Sequence, residues 1–291
     1  MIDRLNLTLI IYLMIIIFLG GIIYCISYLI SYFYKNIHTI EELKLEQMEL
    51  MEQVEKNYEK KYPMGNDYFK IIHYPKYESF FEQFYEYKYL VKKNKTQIVS
   101  TCCYANIHKD IYYICDLKKF GFEKNQTLDF ITYGYLFFGI RKMFGIVMEP
   151  NPVITNLVNK YMFVKLAQLN LYKIKFSQIK KNMYFFNKIF PNFFMVTGFK
   201  KFILESNNTE LKCYHIAQVI DYKFITKIVQ SIPFENIKDD DDIMFCINTK
   251  SNLNYLFELK NIFPTNKMSI IANKQIKKEE FNFDLIKTYM I

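Results

Sequence analysis

Apolar and polar positions change their spacing along this chain, and each spacing predicts a different element. Residues 5–34 carry no charged side chain, and Leu9 to Phe33 is dense in Ile, Leu, Phe, Tyr and Met. An α-helix rises about 1.5 Å per residue, so roughly 20 apolar residues cross a hydrocarbon core of about 30 Å. The run predicts a single transmembrane helix over 5–34. A cleavable signal peptide has a shorter apolar core, about 7–15 residues, ending in small residues. This run leaves instead through Ser31, Tyr32, Phe33, Tyr34 and Lys35.

From Ile40 to Tyr62 the sequence is charged and free of glycine. Ile40, Leu43, Leu50 and Val54 recur at helical spacing, with Gln47 and Asn57 at the other seam positions. The spacing predicts a helical stalk or linker over 35–65, closed by Pro63-Met-Gly-Asn. Self-association through the stalk is the expectation attached to that seam.

Beyond the stalk, short alternating runs predict strands mixed with helices. Tyr77–Tyr87 reads as a helix, and Tyr89–Val91, Gln97–Asn106 and Ile111–Leu117 as strands joined by the polar turns 92–96 and 108–110. A helix over Leu128–Met143, a strand over Phe144–Met148 and a helix from Val153 to Asn159 follow. In the second half Lys173–Phe176, Phe193–Val196, Phe199–Leu204, Leu211–Ala217 and Asp242–Ile247 are strand-like. Tyr222–Gln230 and Leu253–Leu259 are helical. The fold class is α+β with a mixed sheet, divided into 66–170 and a second α/β half over 171–291.

Composition adds limits. The residues after the span are enough for one large or two small domains. The chain is 51% hydrophobic and 18% aromatic without Trp, so a substantial core is available. The formal charge is +9, but the lysines are dispersed, and no basic stripe with interleaved aromatics predicts nucleic acid binding. The lipid bilayer is the expected partner. Cys25, Cys102, Cys103, Cys115, Cys213 and Cys246 have no framework or zinc spacing. Unpaired thiols and the Lys/Arg count of the flanks place the bulk of the chain on the cytoplasmic side of a single-pass membrane protein. The acidic run Asp239–Asp242 reads as a solvated turn.

Three strings resemble the N-acyltransferases of the GNAT superfamily. Residues 89–106, YLVKKNKTQIVSTCCYAN, are similar to the family's second and third strands. Residues 112–130, YYICDLKKFGFEKNQTLDF, resemble its fourth strand and the pyrophosphate loop. Residues 144–163, FGIVMEPNPVITNLVNKYMF, resemble its fifth strand and the helix after it. The segment PNFFMVTGFKKFILESNN with LKCYHI is similar to acetyltransferase-like proteins encoded by large DNA viruses, which implies a viral or host membrane.

The resemblance implies a fourth strand that splays from the fifth, with acyl-coenzyme A between them. It implies cofactor contacts from Leu117, Lys119, Lys124, Asn125, Gln126, Thr127 and Asn151. Glu149 would be the base for the amine. The family's general acid, a tyrosine, is replaced by Val158, with Tyr161 nearby as the catalytic candidate. Under the same resemblance the second half is either a degenerate repeat of the first or an extension.

The loop departs from the family pattern. Glycines normally let successive backbone N–H groups approach the pyrophosphate, and residues 124–129 contain none. Asp129 at the helix start would also repel phosphate. No phosphate-binding loop, dinucleotide fingerprint, G-x-S-x-G or H-E-x-x-H pattern occurs. Cys102-Cys103 lies between apolar neighbours and reads as buried thiols. Two functions therefore stand: acyl transfer from acyl-coenzyme A to an amine, or an inactive fold serving as a membrane-bound structural or interaction protein.

Overall fold

The computed structural model describes residues 2–32, 35, 39–44, 47–56, 62–64, 67–72, 77, 80–81, 84, 86–120, 126–149, 157–158, 163–182, 184, 196–204, 210–216, 237–279 and 281. The protein is α+β: an apolar N-terminal helix followed by one twelve-stranded mixed sheet with short helices. The first helix, α1 (Ile2–Tyr32), stands clear of the body, with every described side chain from Tyr12 to Ser31 exposed. Its stretch Tyr12–Tyr32 is long and apolar enough to cross a membrane.

The strands are β1 (Ile40–Glu42), β2 (Tyr62–Met64), β3 (Asp67–Ile72), β4 (Glu86–Asn94), β5 (Gln97–His108), β6 (Ile111–Lys119) and β7 (Lys142–Glu149). Then come β8 (Phe163–Lys175), β9 (Val196–Leu204), β10 (Glu210–Ile216), β11 (Asp242–Asn248) and β12 (Asn266–Asn273). Among the described residues, the helices after α1 include α2 (Glu49–Lys56), α3 (Gln126–Phe137), α4 (Phe176–Lys181) and α5 (Leu253–Glu258).

The sheet order is β1-β4-β5-β6-β7-β12-β8-β11-β10-β9-β3-β2. Read from either edge, it gives the same series: three antiparallel pairs, one parallel pair, one antiparallel pair, with antiparallel β12–β8 at the centre. Each parallel contact, β6–β7 and β10–β11, is three residue pairs long. β3 precedes β4 in the chain but lies near the opposite edge, paired with β9.

Several sequence expectations change. The predicted stalk helix is replaced by β1 on the edge of β4 and the short α2. Ile40, Leu43, Met48 and Met51 are buried, so their spacing reflects packing onto the body. β8 starts at Phe163, ten residues before the predicted strand, and crosses the expected 170/171 boundary. It was hidden because both its faces are largely covered, which erases the two-residue alternation. β12 was missed for the same reason, with Met268 to Ala272 all buried. In 77–87, Phe84 donates to the Phe81 carbonyl at 3.0 Å, while Glu86 and Tyr87 already belong to β4. The expected helix over 222–230 lies outside the described residues.

Two apolar clusters cover the first half of the sheet. One face carries Tyr77, Phe81, Tyr89, Cys103, Ala105, Cys115 and Phe144 beneath Met51 of α2. The other carries Leu90, Cys102, Tyr104 and Ile271 beneath Phe130 of α3. Adjacent Cys102 and Cys103 thus serve opposite cores, as neighbours on a strand must. Both are free thiols pushed up by burial.

Candidate functional site

The site is built where β6 leaves β7. The two strands pair in parallel only at Ile111–Lys142, Tyr112–Met143 and Tyr113–Phe144. β7 then continues against β12, while β6 continues against β5. A V therefore opens between the C-terminal ends of the strands, and α3 runs between them in the chain. The splay implied by the resemblance is present.

Midway along the departing arm β6 carries a bulge. Cys103 faces Cys115 and Thr101 faces Lys118, so Asp116 and Leu117 together oppose Cys102. Asp116 adopts φ +50°, the left-handed conformation that Asp tolerates better than most residues. The Thr101 hydroxyl donates to its carbonyl at 2.9 Å. The bulge breaks the alternation, so that Cys115, Asp116 and Lys118 all serve the α2 side of the sheet.

There the Asp116 carboxylate accepts from the hydroxyls of Tyr77 and Tyr89 and from Lys118 Nζ at 2.8 Å. Lys118 Nζ also donates to Glu55 Oε1 at 2.8 Å and lies 5.0 Å from the Tyr77 ring centre. Burial alone would lower the Lys118 ammonium, but the two carboxylates outweigh it and hold it above its usual value. Tyr77 and Tyr89 are raised by burial and then by the Asp116 charge.

On the opposite face, α3 lays its first turn over the ends of β4 and β5. Lys92 of β4 pairs with Asp129 of α3 at 2.8 Å, with side chains 5% and 1% exposed. The Tyr32 hydroxyl, at the end of α1, donates to the other Asp129 oxygen. Ser100 lies opposite Lys92 in the β4–β5 register and opposite Lys119 in β5–β6. The Ser100 hydroxyl and both polar atoms of the Gln126 amide are buried without a hydrogen-bond partner. Unsatisfied buried groups are rare enough to need a reason. Gln126 sits at the N-terminus of α3, where free N–H groups favour an anion, and Ser100 lies opposite Lys92, whose ammonium bonds Asp129 on that same first turn.

The expected residues separate accordingly. Gln126 is buried at the first position of α3, Thr127 beside it is half-buried, and Lys119 is exposed at the end of β6. Leu117 and Val158 pack against the α3-side core. Lys124, Asn125, Asn151 and Tyr161 lie outside the described residues. Asp129, expected to repel phosphate, is instead neutralised by Lys92.

Glu149 ends β7, away from the bulge. It accepts from Lys165 at 2.6 Å, from Gln168 at 2.6 Å and from the Ser269 hydroxyl. Partial burial would raise its carboxyl, but these donors outweigh it and hold it below the usual range. A carboxylate so held is a weak base. The Asp239–Asp242 run is tied to lysines: Asp239 to Lys180, and Asp242 to Lys173 at 3.4 Å and Lys175 at 3.1 Å.

Sequence reasoning missed Lys92, Ser100, Tyr77, Tyr89 and Glu55. Lys92, Tyr77, Tyr89 and Glu55 act through partners far along the chain, Ser100 is known only by its place opposite Lys92 and Lys119, and none carries a local signal beyond strand periodicity.

No protein-family model matches the chain, and no curated protein matches it. Among solved structures it is similar to a tandem GNAT protein from the clavulanic acid biosynthesis pathway, at 4% identity over 64% of this chain and 82% of that one, TM-score 0.39. It is similar to a putative acetyltransferase from Thermoplasma acidophilum, at 9% identity over 63% and 77%, TM-score 0.35. It is also similar to the spermidine N-acetyltransferase of Vibrio cholerae in complex with CoA and spermine, at 12% identity over 44% and 80%, TM-score 0.31. At those scores the likeness adds nothing to the strand order, parallel pair and bulge, which stand on this chain's own pairing.

Proposed function

We propose that the chain is a membrane-anchored acyltransferase that binds acyl-coenzyme A in the V between β6 and β7 and transfers the acyl group to an amine. The observation that carries this reading is the three-pair parallel contact that opens beside the unpartnered Gln126 and Ser100. A pyrophosphate at the first turn of α3 would receive their donors together with free backbone N–H groups. The bulge at Asp116 exposes strand backbone that no regular ladder uses, a place to polarise a thioester carbonyl. Lys124, Asn125 and Asn151 complete the cofactor contacts in this reading, and Tyr161 is its proton donor. The anchor is α1, with the body on the cytoplasmic side of a viral or host membrane.

The second half is proposed as a degenerate repeat of the first, because the strand pairs on its side of the sheet, completed by β3 and β2 from the first half, follow the same series in mirror order. An inactive interaction protein is the second reading. It is favoured by the commitment of Asp116 and Glu55 to Lys118, and of Glu149 to three donors, which leaves these carboxylates without a base's freedom.

Calorimetry on the full chain in lipid nanodiscs tests the enzyme reading. Saturable binding of acetyl- or longer acyl-coenzyme A, weakened by Gln126→Ala, is the expected result. No heat and no thermal shift at millimolar ligand would sink it.

A further inference from the structure

Three observations fix which end of the body meets the membrane. First, α1 touches the body through Tyr32, whose hydroxyl bonds Asp129 on the first turn of α3. A tyrosine side chain reaches only one turn of helix or so, and therefore the start of α3 lies where α1 ends. Second, Lys92 bonds the same Asp129, so the same end of the sheet holds the close of β4, the start of β5 and, through the Ser100–Lys119 register, the close of β6. Third, this is the end toward which the β6–β7 V opens, because the two strands are joined at their starts.

Exposed lysines gather at the first-half corner of this end. Lys93 is paired with Glu41 and Lys92 with Asp129. Lys35, three residues beyond α1, Lys95 at the tip of the β4–β5 hairpin, and Lys119 at the close of β6 are all exposed. Lys95 sits at φ +56° in a two-residue turn, which presents it at the extreme end of the sheet. The opposite end is also cationic, with Lys109 and Arg141 exposed beside the 3.1 Å Asp110–Lys142 pair, so the α1 junction and not net charge selects the docking end.

We propose that this end is a lipid-docking surface. Lys35, Lys95 and Lys119 rest on anionic phospholipid headgroups, and the Tyr32–Asp129–Lys92 contact holds the body upright on its anchor with the V facing the bilayer. The proposal rests on the reading of α1 as a membrane anchor and is independent of catalysis. Each lysine near an anionic leaflet adds a similar increment, so three give a bias of roughly 100-fold toward the seated orientation.

Energy transfer in nanodiscs tests it. The full chain carrying Cys25→Ser takes a donor dye at Thr96→Cys, or at His108→Cys at the opposite end of β5, about 35 Å away. The acceptor is a headgroup-labelled lipid, and the background lacking either added cysteine must take up no dye. Transfer from position 96 is expected to exceed that from 108. It should rise when phosphatidylserine replaces part of the phosphatidylcholine, and lose that rise in 0.5 M salt or in K35E/K95E/K119E. Equal transfer from the two ends, or indifference of position 96 to both serine lipid and the triple variant, would overturn the proposal. The triple variant's melting temperature in neutral discs, expected to be unchanged, separates lost docking from lost fold. Release of the wild-type chain from membranes by alkaline carbonate would overturn the anchor reading itself, a different outcome from the loss of lipid dependence alone.

Discussion

Lys92 and Asp129 form a 2.8 Å ion pair between β4 and the first turn of α3, with both side chains almost fully buried. The pair fixes α3 on the sheet and also receives the Tyr32 hydroxyl from α1. Removing one partner leaves a buried charge without compensation, which costs about 3–5 kcal/mol. Lys92→Ala and Asp129→Ala are each expected to lower the unfolding free energy of the full chain, read from urea melts in detergent, by an amount in that range. Replacing both, as in Lys92→Met with Asp129→Leu, is expected to recover most of the loss.

Tyr32→Phe removes the hydroxyl that bonds Asp129 at the junction. Its expected cost is about 1 kcal/mol in the same measurement. Hydrogen exchange at the first turn of α3 is expected to rise, while the centre of β5 stays protected.

Ser100 and Gln126 invert the usual expectation. Their polar atoms are buried without partners, so removing them relieves a desolvation cost instead of breaking a bond. Ser100→Ala is expected to raise the melting temperature of the ligand-free chain by an amount equivalent to about 1 kcal/mol, and Gln126→Leu to do the same. Both are expected to weaken the acyl-coenzyme A binding proposed above. Destabilisation by both would mean that these groups serve the fold.

Much of the first half was legible in the sequence. β4, β5 and β6 are antiparallel neighbours joined by short polar turns, and local alternation with turn residues specifies such a meander. The V was legible only through the resemblance, because parallel pairing of β6 with β7 is not visible in either strand alone. Residues 40–62 misled because apolar positions three to four apart suit a helix and equally suit a strand followed by a short helix packed on one surface. The Asp116 bulge lies inside the string 112–130 that resembles a fourth strand and its loop, but its partners Tyr77, Tyr89 and Glu55 come from segments whose periodicity says nothing of a polar network. β8 and β12, buried on both faces at the centre, had no alternation to read.

Gly134 is required by close approach. A Cβ there would lie 2.9 Å from Tyr104 Cζ and 3.0 Å from its hydroxyl oxygen, while that hydroxyl donates to the Phe130 carbonyl at 2.8 Å. The ring is fully buried and cannot swing away. Gly134→Ala is expected to cost about 1–3 kcal/mol. Gly145→Ala meets nothing closer than 3.7 Å and is expected to be nearly neutral in the same thermal melt.

The buried acids predict an alkaline limit to stability. Tyr77, Tyr89 and Tyr104 are raised above the ordinary phenol value by burial, and Cys102 and Cys103 above the ordinary thiol value for the same reason. A raised value means that the folded chain holds its proton where the unfolded chain releases it. The contribution is therefore complete below the unfolded value and declines as pH rises through the window up to the folded value. That window opens near pH 8.5 for the thiols and near pH 10 for the phenols. Lys118, also raised, loses its contribution in the same direction above about pH 10.4. Urea midpoints are expected to be flat from pH 6 to 8, to slope gently downward above 8.5 and to fall steeply above 10. Cys102→Ala is expected to shallow the first segment and leave the second. Tyr89→Phe is expected to lower the plateau, because Asp116 loses a donor, and to shallow the steep segment. A midpoint that rose between pH 8.5 and 10 would contradict the burial of these groups in the folded protein.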